Sequence, residues 1–199
     1  FLNCSEKHTM KNLSIIVLLS VMFFSCSDTG KNNEQAESDK QEAENRNDAK
    51  FSKDAEDDAQ FVVDAANMNL IEMSLGSIAS RSGTIKEVKE LGNVMNTTHR
   101  NSYDELAEYA RKNTISIPST IGEPASKDSA DFAMSKGNDF NEKYVNKMVS
   151  THKDAIDLYE KGANNCKDPE LVAWINSQLP ELRKHLDVAM DTQNKIAKK

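Results

Sequence analysis

The chain has 199 residues, only seven Gly and four Pro among them, and a formal net charge of −7. Few aromatic residues beside many Ala, Lys, Glu, Asp, Asn and Met favour helices over strands, so the composition predicts one all-α domain. Residues 31–60 hold five Lys or Arg against ten Asp or Glu, and the remainder is nearly balanced. Without a basic stripe to neutralise phosphates, we expect no nucleic-acid partner.

The amino terminus has the layout of a bacterial secretion signal. Met10-Lys11-Asn12 precedes an apolar run, 13–24, that is too short to span a bilayer comfortably. Phe23-Phe24-Ser25-Cys26 resembles a lipobox, the motif at which a signal peptidase cleaves before a lipidated cysteine. We therefore expect 1–25 to be a signal peptide, with 1–9 a mis-set start, and Cys26 to carry the lipid. The alternative is an ordinary signal peptide with an incidental cysteine.

The residues after Cys26 indicate a destination and a tether. Ser27, rather than Asp, follows the cysteine, which in two-membrane bacteria indicates an outer-membrane lipoprotein of the cell envelope, facing the periplasm or the cell surface. Residues 26–52 are acidic and almost free of apolar side chains, so we predict a disordered tether before a folded domain at 53–197. After lipidation Cys166 is the one remaining thiol, which excludes an intramolecular disulfide.

Four later segments repeat apolar residues alternately every three and four positions, which is the spacing of a helix-packing seam. The predicted helices span about 53–80, 84–113, 138–163 and 169 onward. Asp168-Pro169 fits the N-cap and first residue of the last helix. Thr84, three residues before Glu87, predicts a capping box at the start of the second helix.

The connections between these helices predict the topology. Residues 114–136 contain Pro118, Gly122 and Pro124 and form a long irregular connection between the second and third helices. The other two connections are short. Two hairpins joined by one long crossover are typical of a ferritin-like four-helix bundle.

Each seam is interrupted once by an ionisable side chain. These four residues are Glu72, His99, His152 and His185. Glu and His together are common ligands for zinc, copper or iron, and bundle cores are where helical proteins build metal sites. We therefore predict a metal site, with Met95 and Met148, each four residues before a histidine, as neighbours. The alternative is that each is a buried polar group that fixes the register of the helices.

Depth along the helices leaves two arrangements open. His99 and His152 each lie some fifteen residues below one end of the bundle, so these two rings are expected to touch. Glu72 and His185 lie about nine residues below the same end, which places them as a second pair roughly 9 Å away. The sequence thus allows one site or two stacked pairs.

A di-iron centre is not expected. Such centres need Glu three residues before His on two helices, and Asn96 and Val149 occupy those positions.

Several motifs together resemble the bacterial envelope family called domain of unknown function 4142. They are Phe61-Val62 with Ala65-Ala66, Glu72 with Leu75-Gly76, Met95 with His99, Phe140 with Tyr144-Val145, Met148-Val149 with His152, and Leu179-Pro180 with Leu182 and His185-Leu186. The resemblance implies a ferritin-like bundle, usually secreted or lipidated and often described as an outer-membrane protein. Members commonly have Asp before the second-helix histidine, where this chain has Thr98.

Three functions follow as hypotheses. The first is a non-enzymatic envelope lipoprotein, anchored to the membrane by its lipid, that binds a metal ion or small ligand in the bundle core. The second is a structural or interaction module without a ligand. An enzyme ranks third, because the sequence has no nucleophile elbow, glycine-rich phosphate loop or Cys-His motif.

Overall fold

The computed structural model describes residues 29–121 and 125–197. The predicted signal peptide and the lipobox at Cys26 lie outside these residues. The described chain forms six helices and, within those ranges, no strand. The helices are α1 (Thr29–Asp48), α2 (Lys53–Ser82), α3 (Lys86–Lys112), α4 (Ala125–Met134), α5 (Gly137–Asn165) and α6 (Pro169–Ile196). The all-α prediction is confirmed.

Four of these helices, α2, α3, α5 and α6, are the four predicted from the seams. In the described part of the chain, none of the six has the length and apolarity required to cross a bilayer.

Two contacts fix the direction of the helices in the bundle. Near the start of α5, Asn141 Nδ2 donates to Thr84 Oγ1 at 2.7 Å, in the turn between α2 and α3. Near the end of α3, Tyr109 Oη donates to Asp168 Oδ2 at 2.7 Å, at the start of α6. Helices α3 and α5 therefore run parallel on a diagonal, while α2 packs on α3 and α5, and α6 packs on α5 and α3. This is the ferritin-like arrangement that the long crossover predicts.

The apolar core is divided into two parts along the bundle axis. One part surrounds Phe61, Tyr159 and Ile175, and the other surrounds Leu75, Phe140 and Met148. Between them, on all four long helices, lie the buried polar side chains. These are Asn69, Glu72, His99, Ser102, His152 and His185. Burying polar side chains costs free energy unless they are hydrogen-bonded. The partners of each side chain therefore indicate whether the layer is structural or functional.

One of the two predicted helix caps is confirmed. The Asp168 carboxylate accepts a hydrogen bond from the backbone N–H of Glu170 at 2.8 Å, and Pro169 is the first residue of α6. The capping box at Thr84 is wrong, because α3 begins at Lys86 after Ile85. The Thr84 hydroxyl is occupied by Asn141, whose Oδ1 also accepts the backbone N–H of Thr84 at 3.0 Å.

The prediction of a disordered tether over 26–52 is wrong for the described residues of that segment, where α1 covers Thr29–Asp48. Asn47 is buried and its amide pairs with the backbone of Ser116 in both directions, donating to the carbonyl at 2.9 Å and accepting the N–H at 2.8 Å. Lys40 lies 2.9 Å from the carboxylate of Asp64 on α2. Polar contacts hold this segment against the bundle, and a prediction based on the number of apolar residues does not take them into account.

The connection between α3 and α5, predicted as irregular over 114–136, is partly helical. Helix α4 lies within it and places Phe132 against Phe140, with ring centroids 6.3 Å apart in edge-to-face geometry. Helix α6 is continuous through Pro180.

Cys166 caps the end of α5 in the predicted interhelical turn and is buried. Burial is the main cause that raises the pKa of its thiol to about 12, and the carboxylate of Asp58 acts in the same direction. The thiol is therefore protonated at neutral pH, which disfavours a redox or nucleophilic role.

Candidate metal centre

Three imidazoles meet in the polar layer. His99 on α3, His152 on α5 and His185 on α6 are each at most 3 % exposed. Their ring centroids lie 5.5 Å apart for His99 and His152, 5.5 Å for His99 and His185, and 5.4 Å for His152 and His185. One ligand-capable nitrogen from each ring lies within 4.8 Å of the others. The predicted contact between His99 and His152 is present.

The orientation of His99 is set by Asn69 on α2, a residue that the sequence reasoning missed. Asn69 Nδ2 donates to the backbone carbonyl of Ala65 at 3.0 Å, which identifies Oδ1 as the atom that faces the imidazole. Oδ1 lies 2.8 Å from Nδ1 of His99, so this ring nitrogen carries the proton and donates. Nε2 of His99 then presents a lone pair, and it makes no hydrogen bond to any described residue.

His152 has the same tautomer for a different reason. Its Nδ1 lies 2.9 Å from the backbone carbonyl of Met148, one turn earlier in α5, and must donate to it. Nε2 of His152 has no partner in the described chain. Met148 thus contributes its carbonyl group, while its side chain and that of Met95 belong to the apolar cluster beside the layer.

His185 contacts a carboxylate that the sequence reasoning also missed. Its Nε2 lies 3.2 Å from Oε1 of Glu181, one turn earlier in α6. Its Nδ1 is buried and unpartnered among the described residues. His99 and His152 therefore each have one hydrogen-bonded nitrogen and one without a partner, whereas neither nitrogen of His185 makes a hydrogen bond to a described residue.

Electrostatics keep at least two of the rings neutral. Burial lowers the pKa of His99 well below its ordinary value, and His152 and His185 lower it further. Burial is also the main cause that lowers the pKa of His185 to about 4. Neutral imidazole is the form that binds metals, so these ligands need not lose a proton at neutral pH.

Glu72 lies beside the three rings without joining their group. Burial is the largest influence on its carboxyl and raises its pKa, while His152, Thr151 and Lys147 act in the opposite direction. Its Oε2 makes no hydrogen bond to a described residue. Of the two arrangements left open by the sequence, the three histidines form one group, and Glu72 is not part of it.

The reason is a small error in the predicted helix ends. Helix α3 begins at Lys86, two residues later than predicted, and α2 ends at Ser82, two residues later. Measured from that end, Glu72 and His185 are ten and eleven residues deep, against thirteen and fifteen for His99 and His152. The two levels therefore differ by two to five residues, about 3–7.5 Å at 1.5 Å per residue, and long side chains span that difference.

A pattern in the sequence could have revealed Asn69. It lies four residues after Ala65 and three before Glu72, on the buried face of the same helix. Glu181 gives a weaker signal, since a partly exposed Glu four residues before a histidine is common on helices.

The donor set fits a transition metal. Proteins orient metal-binding histidines by a hydrogen bond on the other ring nitrogen, and His99 and His152 have such a bond. Tetrahedral zinc, at 2.0–2.1 Å from each nitrogen, would hold those nitrogens about 3.3 Å apart, so the rings would move closer than their present 4.8 Å limit.

The fold and the site together define an all-α bundle protein with a buried cluster of three histidines. The sequence matches the family model described as Domain of unknown function (DUF4142) over residues 30–192, and the chain belongs to that family. The family resemblance noted from the motifs is confirmed. Neither the curated proteins nor the solved structures contained a match.

Proposed function

We propose that this protein is a non-catalytic, metal-binding lipoprotein of the bacterial envelope, whose bundle core holds one transition-metal ion on His99, His152 and His185. Two observations carry the proposal: every ring has a buried nitrogen without a hydrogen bond, and the three rings bring one nitrogen each within 4.8 Å of the others. Leaving a buried polar atom without a partner costs about 1–3 kcal/mol. A metal ion would satisfy all three atoms at once.

The competing explanation, that the histidines only fix helix register, accounts for less. His152 donates to Met148 of its own helix and His185 faces Glu181 of its own helix, so neither contact ties two helices together. Only the bond between His99 and Asn69 crosses from one helix to another. A register device would place partners across the helix interfaces.

The ligand set favours zinc or copper among the three metals considered. Imidazole suits both ions, and copper binds nitrogen ligands most tightly among the divalent metals. Mononuclear iron enzymes typically use two histidines and a carboxylate, and no carboxylate joins the described group. A di-iron centre also lacks its glutamates, because Asn96 donates to the carbonyl of Met73 and Val149 is apolar.

Charges around the site are consistent with a cation. Two carboxylates flank the rings, Glu72 beside His152 and Glu181 beside His185. A bound ion would favour the ionised form of Glu72, which burial alone disfavours. The metal and the acid would therefore stabilise one another.

Elemental analysis tests the metal site. Full-length protein is purified from the native envelope without chelators, beside the double variant His99→Ala with His152→Ala and a control at an exposed position, Asn194→Ala. We expect near-stoichiometric zinc or copper in the wild type and the control, and none in the double variant. A metal-free wild type whose melting temperature does not change when zinc or copper is added would support the alternative, a structural or interaction module without a ligand.

Membrane fractionation tests the anchor separately. Cys26→Ser removes the proposed lipid attachment site, so the protein should leave the outer-membrane fraction. Ser27→Ala, the neighbouring change, should leave it in the membrane. An unchanged distribution of the Cys26→Ser variant would favour the incidental-cysteine alternative.

A further inference from the structure

A narrow cleft between α3 and α6 reaches two of the three imidazoles. It is lined by Thr98, His99, Ser102, Tyr159, Gln178, Glu181, Leu182 and His185. Its volume of about 10 Å³ is room for about one water molecule. The third imidazole, His152, does not line it, so the cleft approaches the cluster from one side.

The polar walls of the cleft suit a hydrogen-bond donor. Ser102 Oγ donates to Gln178 Oε1 at 3.2 Å, which leaves the hydroxyl oxygen as an acceptor. Gln178 is held in turn by Glu105, whose Oε2 accepts its Nε2 at 3.3 Å. Glu181, the one acidic residue lining the cleft, adds further acceptor capacity. A water molecule that gives its lone pair to a metal has two protons to donate, and these acceptors can take them.

Among the described His, Cys, Asp and Glu residues, the group of ligand atoms consists of the three histidines alone. Glu72 lines a different groove, between α2 and α5, together with Met68 and Thr151. Structural zinc sites close with four protein ligands, whereas three protein ligands and an open position are typical of sites that accept an outside molecule.

We infer that the metal held by the three histidines keeps a fourth coordination position open toward this cleft, where it takes a water molecule or another neutral donor of the same size. The inference rests on the proposed metal site. Glu181 disfavours anions at the same position by its charge.

Pulsed electron paramagnetic resonance of the full-length protein loaded with Cu²⁺ alone tests this position. Spectra recorded in H₂O and D₂O identify an exchangeable water ligand directly. We expect a coordinated-water signal in the wild type and an unchanged signal in Glu72→Gln. Copper bound without exchangeable water, or water that enters only in Glu72→Gln, would overturn the inference and leave the metal site intact. Failure to bind copper would overturn both.

The cleft itself is tested by filling it. Ser102→Val adds apolar volume at its wall and should abolish the water signal while copper stoichiometry is retained. Ser102→Ala, the matched control, leaves the cleft open and should keep the signal. Ser102→Thr adds one methyl group and replaces the valine variant if that variant fails to fold. A water signal that persists in the folded, filled variant places the open position elsewhere and contradicts the assignment to this cleft.

Discussion

Oδ1 of Asn69 accepts the Nδ1 proton of His99 at 2.8 Å and so holds the imidazole in the tautomer that presents Nε2. Asn69→Leu removes this acceptor, and we expect metal affinity to fall about 10–100-fold, the usual effect of losing such a partner. Competition with a chromophoric chelator measures it. Asn69→Asp keeps an acceptor at the same place and should retain wild-type affinity or exceed it. Equal affinities in all three proteins would contradict the positioning role.

The metal-free protein should lose stability as the pH falls from about 6.5 toward 4. His99 and His185 have lowered pKa values in the fold, with burial the main cause, so the unfolded chain binds more protons in this range. Stability therefore rises with pH there. The shift of His185 to about 4 corresponds to about 3 kcal/mol over the whole window.

Urea unfolding of the chelator-treated protein at several pH values measures this slope. His185→Gln removes one titrating group, and its stability should depend less steeply on pH by up to about 1.4 kcal/mol per pH unit. Identical slopes in the variant and the wild type would show that His185 is protonated equally in both states.

Glu72→Gln should stabilise the metal-free protein at neutral pH. The raised pKa of this buried carboxyl means that stability is present below about 4.5 and is lost as the pH rises through the folded-state value. An amide of similar shape has no charge to desolvate, so we expect a gain on the order of 1–2 kcal/mol. Differential unfolding at pH 7.5 and pH 4.5 should show the gain shrinking at the lower pH.

Glu181→Gln is the matched control for that experiment. The pKa of Glu181 is lowered, chiefly by its hydrogen bond with Lys184, and its side chain is partly exposed. Its replacement should not stabilise the metal-free protein at neutral pH. A gain as large as that of Glu72→Gln would mean that lost charge in general, rather than burial, is responsible.

Gly92→Ala should destabilise the bundle by about 1–3 kcal/mol, the usual cost of overpacking. A methyl group there would lie 2.7 Å from the carbonyl oxygen of Gly76 and 2.7 Å from the backbone nitrogen of Ser80, and backbone atoms cannot move aside cheaply. Chemical denaturation compares it with Asn93→Ala, the exposed neighbour, which should be nearly neutral. Equal stability of the two variants would show that α2 and α3 can separate at little cost.

The spacing of apolar residues predicted the four long helices, and the lengths of the connections predicted how these helices are arranged in the bundle. Both features can be read from short stretches of sequence. The contact of His99 with His152 followed from the same information. The position of His185 did not, since the predicted helix ends placed it about six residues from the depth of His99, whereas the observed difference is two residues. Asn69 and α1 were missed because their partners, His99 and Ser116, lie 30 and 69 residues away in the chain.

Helix α1 changes what an anchor at Cys26 would mean mechanically. Only Ser27 and Asp28 separate that cysteine from a helix of 20 residues, about 30 Å long, whose far end is fastened to the crossover through Asn47. A disordered tether would let the bundle move and rotate freely near the lipid surface. A helix packed along α2 would instead keep the bundle next to its anchor and restrict how far it can turn.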